Sequence, residues 1–93
     1  MFCKRLESLR KSYNLTQKQL AEKLGLSKQT VSNWENDNIL PSIETLIRIC
    51  NFFNVSTDYI LGLDEKIYIE VSGLSLEKVS HVQQIVNDIR SKN

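Results

Sequence analysis

The sequence predicts an all-α protein, with a domain of five short helices over residues 1–62 followed by a strand-like linker and a C-terminal helix over residues 63–93. Three observations lead to this prediction. Apolar residues recur at three- and four-residue intervals along most of the chain. Hydroxyl-bearing residues stand where several helices should begin, and glycine or asparagine stands where several should end. Ninety-three residues suffice for one small domain with an appendage.

The first two helices are predicted from apolar spacing and from a capping pattern between them. A helix over residues 2–12 follows from three residues at helical spacing: Leu6, Leu9 and Tyr13. Thr16 and Gln19 have the spacing of a capping box, in which each side chain accepts a hydrogen bond from the other residue's backbone N–H. The second helix should end at Gly25, because glycine adopts the left-handed conformation at little steric cost. Its inward residues are Leu20, Ala21 and Leu24.

Each of the next three predicted helices follows a serine that can cap it: Ser27, Ser42 and Ser56. The third helix should turn Val31 and Trp34 toward the first two helices. The fifth should run over residues 57–61, closed by Gly62. The fourth is predicted to bury a stripe of apolar residues: Ile43, Leu46, Ile49, Cys50 and Phe53.

The last thirty residues have a different pattern. Residues 67–71 alternate large apolar and polar side chains, which is typical of a strand, although one strand has no pairing partner within this chain. Ser75 can cap a final helix, whose apolar seam spans nearly two heptads: Leu76, Val79, Val82, Val86 and Ile89. This seam either folds back onto the five-helix domain or pairs with a second chain. We predict a homodimer, because the domain looks complete without the seam and symmetric pairing would also let two strands satisfy each other.

The charge is distributed unevenly along the chain. Residues 1–34 contain seven Lys or Arg against two Glu, a net charge of +5, whereas residues 35–93 have a net charge of −4. This polarity is typical of a protein with one side that faces an anion.

Composition argues against several classes of protein. Apolar residues make up 41% of the chain but never form a run of about 20, so we expect a cytoplasmic protein without a membrane span. Cys3 and Cys50 lack metal-ligand spacing, and we expect reduced, structural thiols. His81, the single histidine, has no Cys or carboxylate cluster beside it. We therefore predict neither a metal site, a cofactor nor an enzyme.

The third predicted helix should present a polar face to a partner. The spacing of Ala21, Gly25 and Val31 suits two helices that cross closely at a steep angle, which pushes the second helix outward as a ridge. With Val31 turned inward, the side chain of Gln29 points away from the core, flanked by Ser32 and Asn33 and, further round, by Lys28. Amide groups suit the N6 and N7 atoms of adenine, and lysine suits the O6 and N7 atoms of guanine.

Residues 17–36 resemble the helix-turn-helix of the lambda-repressor-like, or Xre-type, family of small bacterial and phage regulators. The resemblance covers residues 1–62 and rests on many positions in register: Thr16-Gln17, Ala21, Gly25-Leu26-Ser27, Trp34-Glu35-Asn36, Pro41-Ser42, Leu46 and Val55-Ser56-Thr57-Asp58-Tyr59-Ile60-Leu61-Gly62. It implies a five-helix bundle that binds double-stranded DNA sequence-specifically and regulates transcription.

The resemblance also implies individual roles. Base contacts are expected from Lys28, Gln29, Ser32 and Asn33. Phosphate contacts are expected from Gln17, Ser27, Thr30 and Asn36, and the helix start at Thr16 adds a further one. Arg10 and Glu35 match a structural salt bridge. The chain departs from the family pattern after Asn36, where Asp37, Asn38 and Ile39 replace the glycine and basic residues of many relatives and remove positive charge.

Taken together, these predictions describe a homodimeric repressor that occupies a promoter at an inverted repeat. An alternative of another class is an antitoxin or switch-type interaction module, whose C-terminal helix binds a partner protein and for which DNA binding is secondary.

Overall fold

The computed structural model describes residues 1–91 and confirms the all-α prediction. Six helices follow in chain order: α1 (Phe2–Ser12), α2 (Gln17–Leu24), α3 (Lys28–Glu35), α4 (Ile43–Phe53), α5 (Thr57–Ile60) and α6 (Leu76–Ser91). Residues 63–75, called the linker below, join α5 to α6. Among the described residues no strand forms, and residues 66–71 adopt neither helix, turn nor bend.

Helices α1–α5 share one hydrophobic core. Each of the five contributes at least one side chain with 2% or less of its surface exposed: Leu6, Leu20, Val31, Ile49, Phe53 and Ile60. Burying an aliphatic or phenyl side chain of this kind contributes about 1.5–3 kcal/mol. Trp34 packs into the same core with 3% of its surface exposed, which confirms its predicted inward orientation.

The predicted caps are present. The Thr16 hydroxyl accepts a hydrogen bond from the Gln19 N–H at 3.1 Å, and the Gln19 side chain accepts one from the Thr16 N–H at 2.8 Å. Gly25 takes the left-handed conformation at φ 71°, so the chain turns sharply between α2 and α3. Serine hydroxyls accept hydrogen bonds from the N–H three residues on at the starts of α3, α4, α5 and α6: Ser27, Ser42, Ser56 and Ser75.

The prediction of a buried side chain is wrong for one residue of α4. Ile43 has the phase of the buried stripe of α4, but 78% of its surface is exposed. It occupies the first position of α4, directly after the Ser42 cap, and the first turn of the helix extends beyond the core that Ile49 and Phe53 enter. Periodicity gives the direction of a side chain around the helix but not where along the helix the neighbouring elements end.

Arg5 fixes the place where the linker leaves the domain. Its guanidinium donates hydrogen bonds to the carbonyl oxygens of Tyr59 at 2.8 Å and Asp64 at 2.9 Å, and to the Glu65 carboxylate at 2.7 Å. The same guanidinium carbon lies 4.3 Å from the centroid of the Tyr59 ring, at cation–π distance. Nothing in the sequence indicates this cluster, since its members are separated by more than fifty residues.

Helix α6 lies beside the linker, and none of its described residues is buried. Val79, Val82 and Val86 are half-buried, whereas 82% of Leu76 and 57% of Ile89 is exposed. A groove of about 260 Å³ separates the valines from the linker. Because the described residues of α6 make no extensive contact with the five-helix domain, the apolar seam stays partly open to a partner.

Candidate nucleic-acid interface

The α2–turn–α3 unit is anchored to the rest of the domain by hydrogen bonds and by buried side chains. Leu26 N–H donates to the Ala21 carbonyl at 2.8 Å, which closes the turn after the left-handed Gly25. The Arg48 guanidinium of α4 donates to the carbonyl of Leu24, so the last turn of α2 is anchored to the core helix beside it. These contacts, with Val31 and Trp34 buried beneath, set the position of α3 on the surface.

The outward side of α3 carries the four residues predicted to contact bases. Lys28 and Gln29 are exposed, and Ser32 and Asn33 are half-buried. The Gln29 amide donates from Nε2 to Asn33 Oδ1 at 2.9 Å, which couples the two amides one helical turn apart. Within residues 1–91, Gln29 Oε1 and Asn33 Nδ2 have no partner. The ridge therefore presents an acceptor and a donor whose positions are fixed by each other and by the helix.

A second hydrogen bond fixes the C-terminal end of this face. Asn36 donates from Nδ2 to the Ser32 Oγ at 3.3 Å. Asn36 was predicted as a phosphate contact and Ser32 as a base contact, and the structure places them one turn apart on the same side of α3. Asp37 follows at once with a left-handed backbone, φ 60°, and adds a negative charge next to this end.

The N-termini of α2 and α3 lie beside the remaining predicted phosphate contacts. Ser27 Oγ lies 2.9 Å from Thr30 Oγ1 and also accepts the Thr30 N–H at 3.2 Å. Thr16 caps α2 in the same way. The first N–H groups of each helix, at Gln17 and Lys28, have no partner among the described residues. Free N–H groups at the positive end of a helix dipole favour a bound anion.

Beneath this surface lies a buried ion pair. Arg10 donates from Nε to Glu35 Oε2 at 2.7 Å and from Nη2 to Glu35 Oε1 at 3.0 Å, and its Nη1 donates to the Leu15 carbonyl at 2.8 Å. The side chains are 10% and 1% exposed. The hydrogen bonds to Glu35 raise the pKa of Arg10, against the opposing effect of burial. Each of the three guanidinium nitrogens thus donates a hydrogen bond inside the protein.

Gln17 is the predicted phosphate contact whose side chain binds the buried carboxylate of Glu35. Its Nε2 donates to Glu35 Oε1 at 3.0 Å, so the amide joins the start of α2 to the end of α3 through the buried carboxylate. The group of Gln17 that remains free to bind an anion is chiefly the backbone N–H. The contact between Gln17 and Glu35 was not predicted, because the two residues lie on different helices, 18 positions apart.

The two cysteines and the single histidine lie outside this interface, on α1, α4 and α6. Cys3 and Cys50 are buried free thiols, and burial raises the pKa of Cys50. Among residues 1–91 no group of three His, Cys, Asp or Glu side chains is placed to hold a metal ion. His81 is exposed on α6. None of the described helices is both long and apolar enough to traverse a bilayer.

Comparisons with known proteins place this geometry in a family. The profile of the helix-turn-helix family matches residues 6–60. The chain is 47% identical over 62 residues to the transcriptional regulator ImmR of Bacillus subtilis, covering 67% of this chain and 49% of ImmR. It is 40% identical over 65 residues to the antitoxin PezA of Streptococcus pneumoniae, covering 70% of this chain and 41% of PezA. The chain thus spans about half the length of these curated relatives or less.

A solved structure agrees with the sequence matches. The P22 c2 repressor, crystallised with a synthetic operator, superposes with a TM-score of 0.64 at 28% identity, over 69% of this chain and 97% of that chain. The matched profile includes all of α2, the turn and α3. The chain belongs to the lambda-repressor-like, Xre-type helix-turn-helix family of transcriptional regulators.

Proposed function

We propose that the protein regulates transcription by binding double-stranded DNA sequence-specifically, and that it acts as a cytoplasmic repressor, bound as a homodimer to an inverted repeat. The observation that carries this proposal is the outward face of α3, where Gln29 and Asn33 are coupled at 2.9 Å and keep an acceptor and a donor free. Amides arranged in this way suit the N6 and N7 edge of adenine in the major groove. The operator named in the structure of the P22 c2 repressor supports the same reading.

In this proposal Lys28, Gln29, Ser32 and Asn33 face the base edges. Contacts to phosphates come from five residues at or near helix ends: Thr16, Gln17, Ser27, Thr30 and Asn36. Phosphate contacts fix the position of the protein on the duplex, and base contacts provide the sequence preference. The buried pair of Arg10 and Glu35 contacts no DNA but holds α1, α2 and α3 in register.

The open seam of α6 supports the homodimer. The seam residues are Leu76, Val79, Val82, Val86 and Ile89, and none of them is buried within one chain. An apolar stripe that lines one side of an open groove is stabilised when it packs against a second copy. Two copies related by a twofold axis would present two α3 helices to half-sites about one helical turn apart.

Selection from a random pool of double-stranded DNA, at near-physiological salt, tests this function. We expect one enriched motif made of two inverted half-sites. Failure to enrich any motif, although circular dichroism shows a folded protein, would contradict the proposal. Enrichment of a motif with only one half-site would support DNA recognition by this chain and would contradict the homodimer.

Asp37→Asn is expected to strengthen binding to every duplex. Asp37 follows α3 beside the predicted phosphate contact at Asn36, so its carboxylate repels the DNA backbone. Asparagine tolerates the left-handed backbone found there. We expect roughly threefold lower Kd for selected and scrambled duplexes alike, measured by fluorescence anisotropy. Asp88→Asn, on exposed α6, is the matched control and should change neither Kd. A lower Kd for the selected duplex alone would show that Asp37 acts on base contacts instead.

An interaction module is the second candidate function. The exposed seam of α6 would then bind a different protein, and DNA binding would be secondary. The antitoxin name of the relative PezA favours this candidate. Charged substitutions in the seam separate the two functions, as described in the Discussion.

A further inference from the structure

The linker contains a short segment whose hydrogen-bonding groups are unused. Within residues 1–91, no backbone N–H or C=O of residues 67–70 has a partner. The segment forms neither helix, turn nor bend, and 59% of Ile67, 62% of Tyr68 and 68% of Ile69 is exposed. Unpaired backbone groups flanked by exposed apolar side chains make a template for pairing with another strand.

The sequence of this segment is complementary to itself. It reads Lys66-Ile67-Tyr68-Ile69-Glu70. In an antiparallel pair of two copies centred on Tyr68, each Lys66 lies opposite the other copy's Glu70, and each Ile67 lies opposite the other copy's Ile69. Opposite charges and β-branched side chains in directly opposed positions both stabilise a two-stranded ribbon.

The charges also disfavour the registers centred on Lys66, Ile67 and Glu70. A pair centred on Lys66 would oppose two ammonium groups, and a pair centred on Glu70 would oppose two carboxylates. Centring on Ile67 would place Asp64 opposite Glu70, again with like charges. Of the registers centred on residues 66 to 70, the Tyr68 register alone pairs Lys66 with Glu70.

We propose that residues 66–70 of two copies of this chain pair as antiparallel strands about a twofold axis at Tyr68, which fixes the register of the homodimer. The inference rests on the homodimer proposed above and adds a surface to it beyond the seam of α6. The two surfaces are continuous, because the linker and α6 line the same groove. Arg5 holds residues 64 and 65, directly before the segment, to the domain. The paired strands would therefore set the distance between the two α3 helices.

Charge exchange tests the register. Lys66→Glu alone would place two carboxylate pairs in opposition, and Glu70→Lys alone would place two ammonium pairs. We expect each single variant to raise the dimer dissociation constant roughly five- to thirtyfold in analytical ultracentrifugation, and the double variant to return to within about threefold of the unaltered chain. Single variants without effect, or a double variant no better than either single, would overturn the proposed register.

Cysteine cross-linking gives a readout that does not depend on affinity. Directly opposed residues in an antiparallel pair have Cα atoms about 4.5–5.5 Å apart, which a disulfide can span. Tyr68→Cys should therefore form a covalent dimer on mild oxidation. Ile67→Cys alone should not, since its symmetry mate lies about 8 Å away, but a mixture of Ile67→Cys and Ile69→Cys chains should cross-link. The native thiols are both buried, and the unaltered chain measures their background.

The outcomes separate this inference from the function on which it rests. A protein that dimerises and selects an inverted repeat, yet shows neither charge rescue nor the Tyr68→Cys cross-link, would overturn the strand pairing and keep the proposed function. A protein that stays monomeric at all concentrations would overturn both the pairing and the homodimer. Thermal unfolding of each variant shows whether the five-helix domain remains folded, which we expect because residues 66–70 lie outside its core.

Discussion

Replacement of Glu35 by alanine is expected to lower the free energy of unfolding by about 3–5 kcal/mol, because it breaks a buried ion pair. The substitution leaves the Arg10 guanidinium, itself in a buried residue, without its two carboxylate contacts. It also removes the acceptor of the Gln17 amide. Natural domains are stable by about 5–15 kcal/mol, so the variant should lose a large share of its stability.

Urea unfolding followed by circular dichroism measures this loss, and the chain offers a matched control. Glu7 and Lys11 form an exposed pair at 3.7 Å, with side chains 46% and 64% exposed. Glu7→Ala should cost less than about 1 kcal/mol, because water screens the pair. If Glu35→Ala costs no more than Glu7→Ala, the buried pair does not hold the three helices together as we describe.

The second large effect is expected from Val82→Asp combined with Val86→Asp. Two carboxylates in the half-buried part of the seam should prevent the homodimer, because a charge is costly to bury without a partner. Each monomer would then bind one half-site, without the increase in affinity that two linked DNA-binding domains provide. We expect the affinity for the selected operator to fall about 10²- to 10⁴-fold, with the monomer domain still folded.

Ser80→Asp combined with Gln84→Asp is the control for this pair. These residues have the same spacing on α6 but lie on its opposite, exposed side. Sedimentation and DNA binding should both remain unchanged in the control. An operator affinity that survives Val82→Asp and Val86→Asp, together with loss of a heterologous partner in co-purification, would favour the interaction module over the homodimeric repressor.

Local sequence signals predicted most of the fold because the helices are bounded by residues with one strong physical preference. Thr16 and Gln19 form the predicted box, and Gly25 takes the predicted left-handed turn. The inward orientation of Trp34 was also predictable, because its spacing from Val31 follows the helical period. Such signals depend on neighbours within a turn or two, and a single sequence shows them directly.

Contacts between distant parts of the chain were not predictable in the same way. Arg5 binds residues 59, 64 and 65, and Arg48 binds Leu24. A lone arginine on a helix gives no sign of the carbonyl that it will reach. The contact between Gln29 and Asn33 was predictable only in part. Their four-residue spacing allows the contact, but only the structure shows which amide donates.

The central claim is that the outward face of α3 reads the DNA sequence. Parallel selections from one random duplex pool, with the unaltered chain and with a Gln29→Ala, Asn33→Ala double variant, test it most directly. The account predicts that the unaltered chain enriches an inverted repeat, and that the double variant loses preference at a few base pairs, placed symmetrically in both half-sites, while the half-site spacing stays the same. An identical motif from both proteins would contradict the claim, because the amides of α3 would then contribute nothing to recognition.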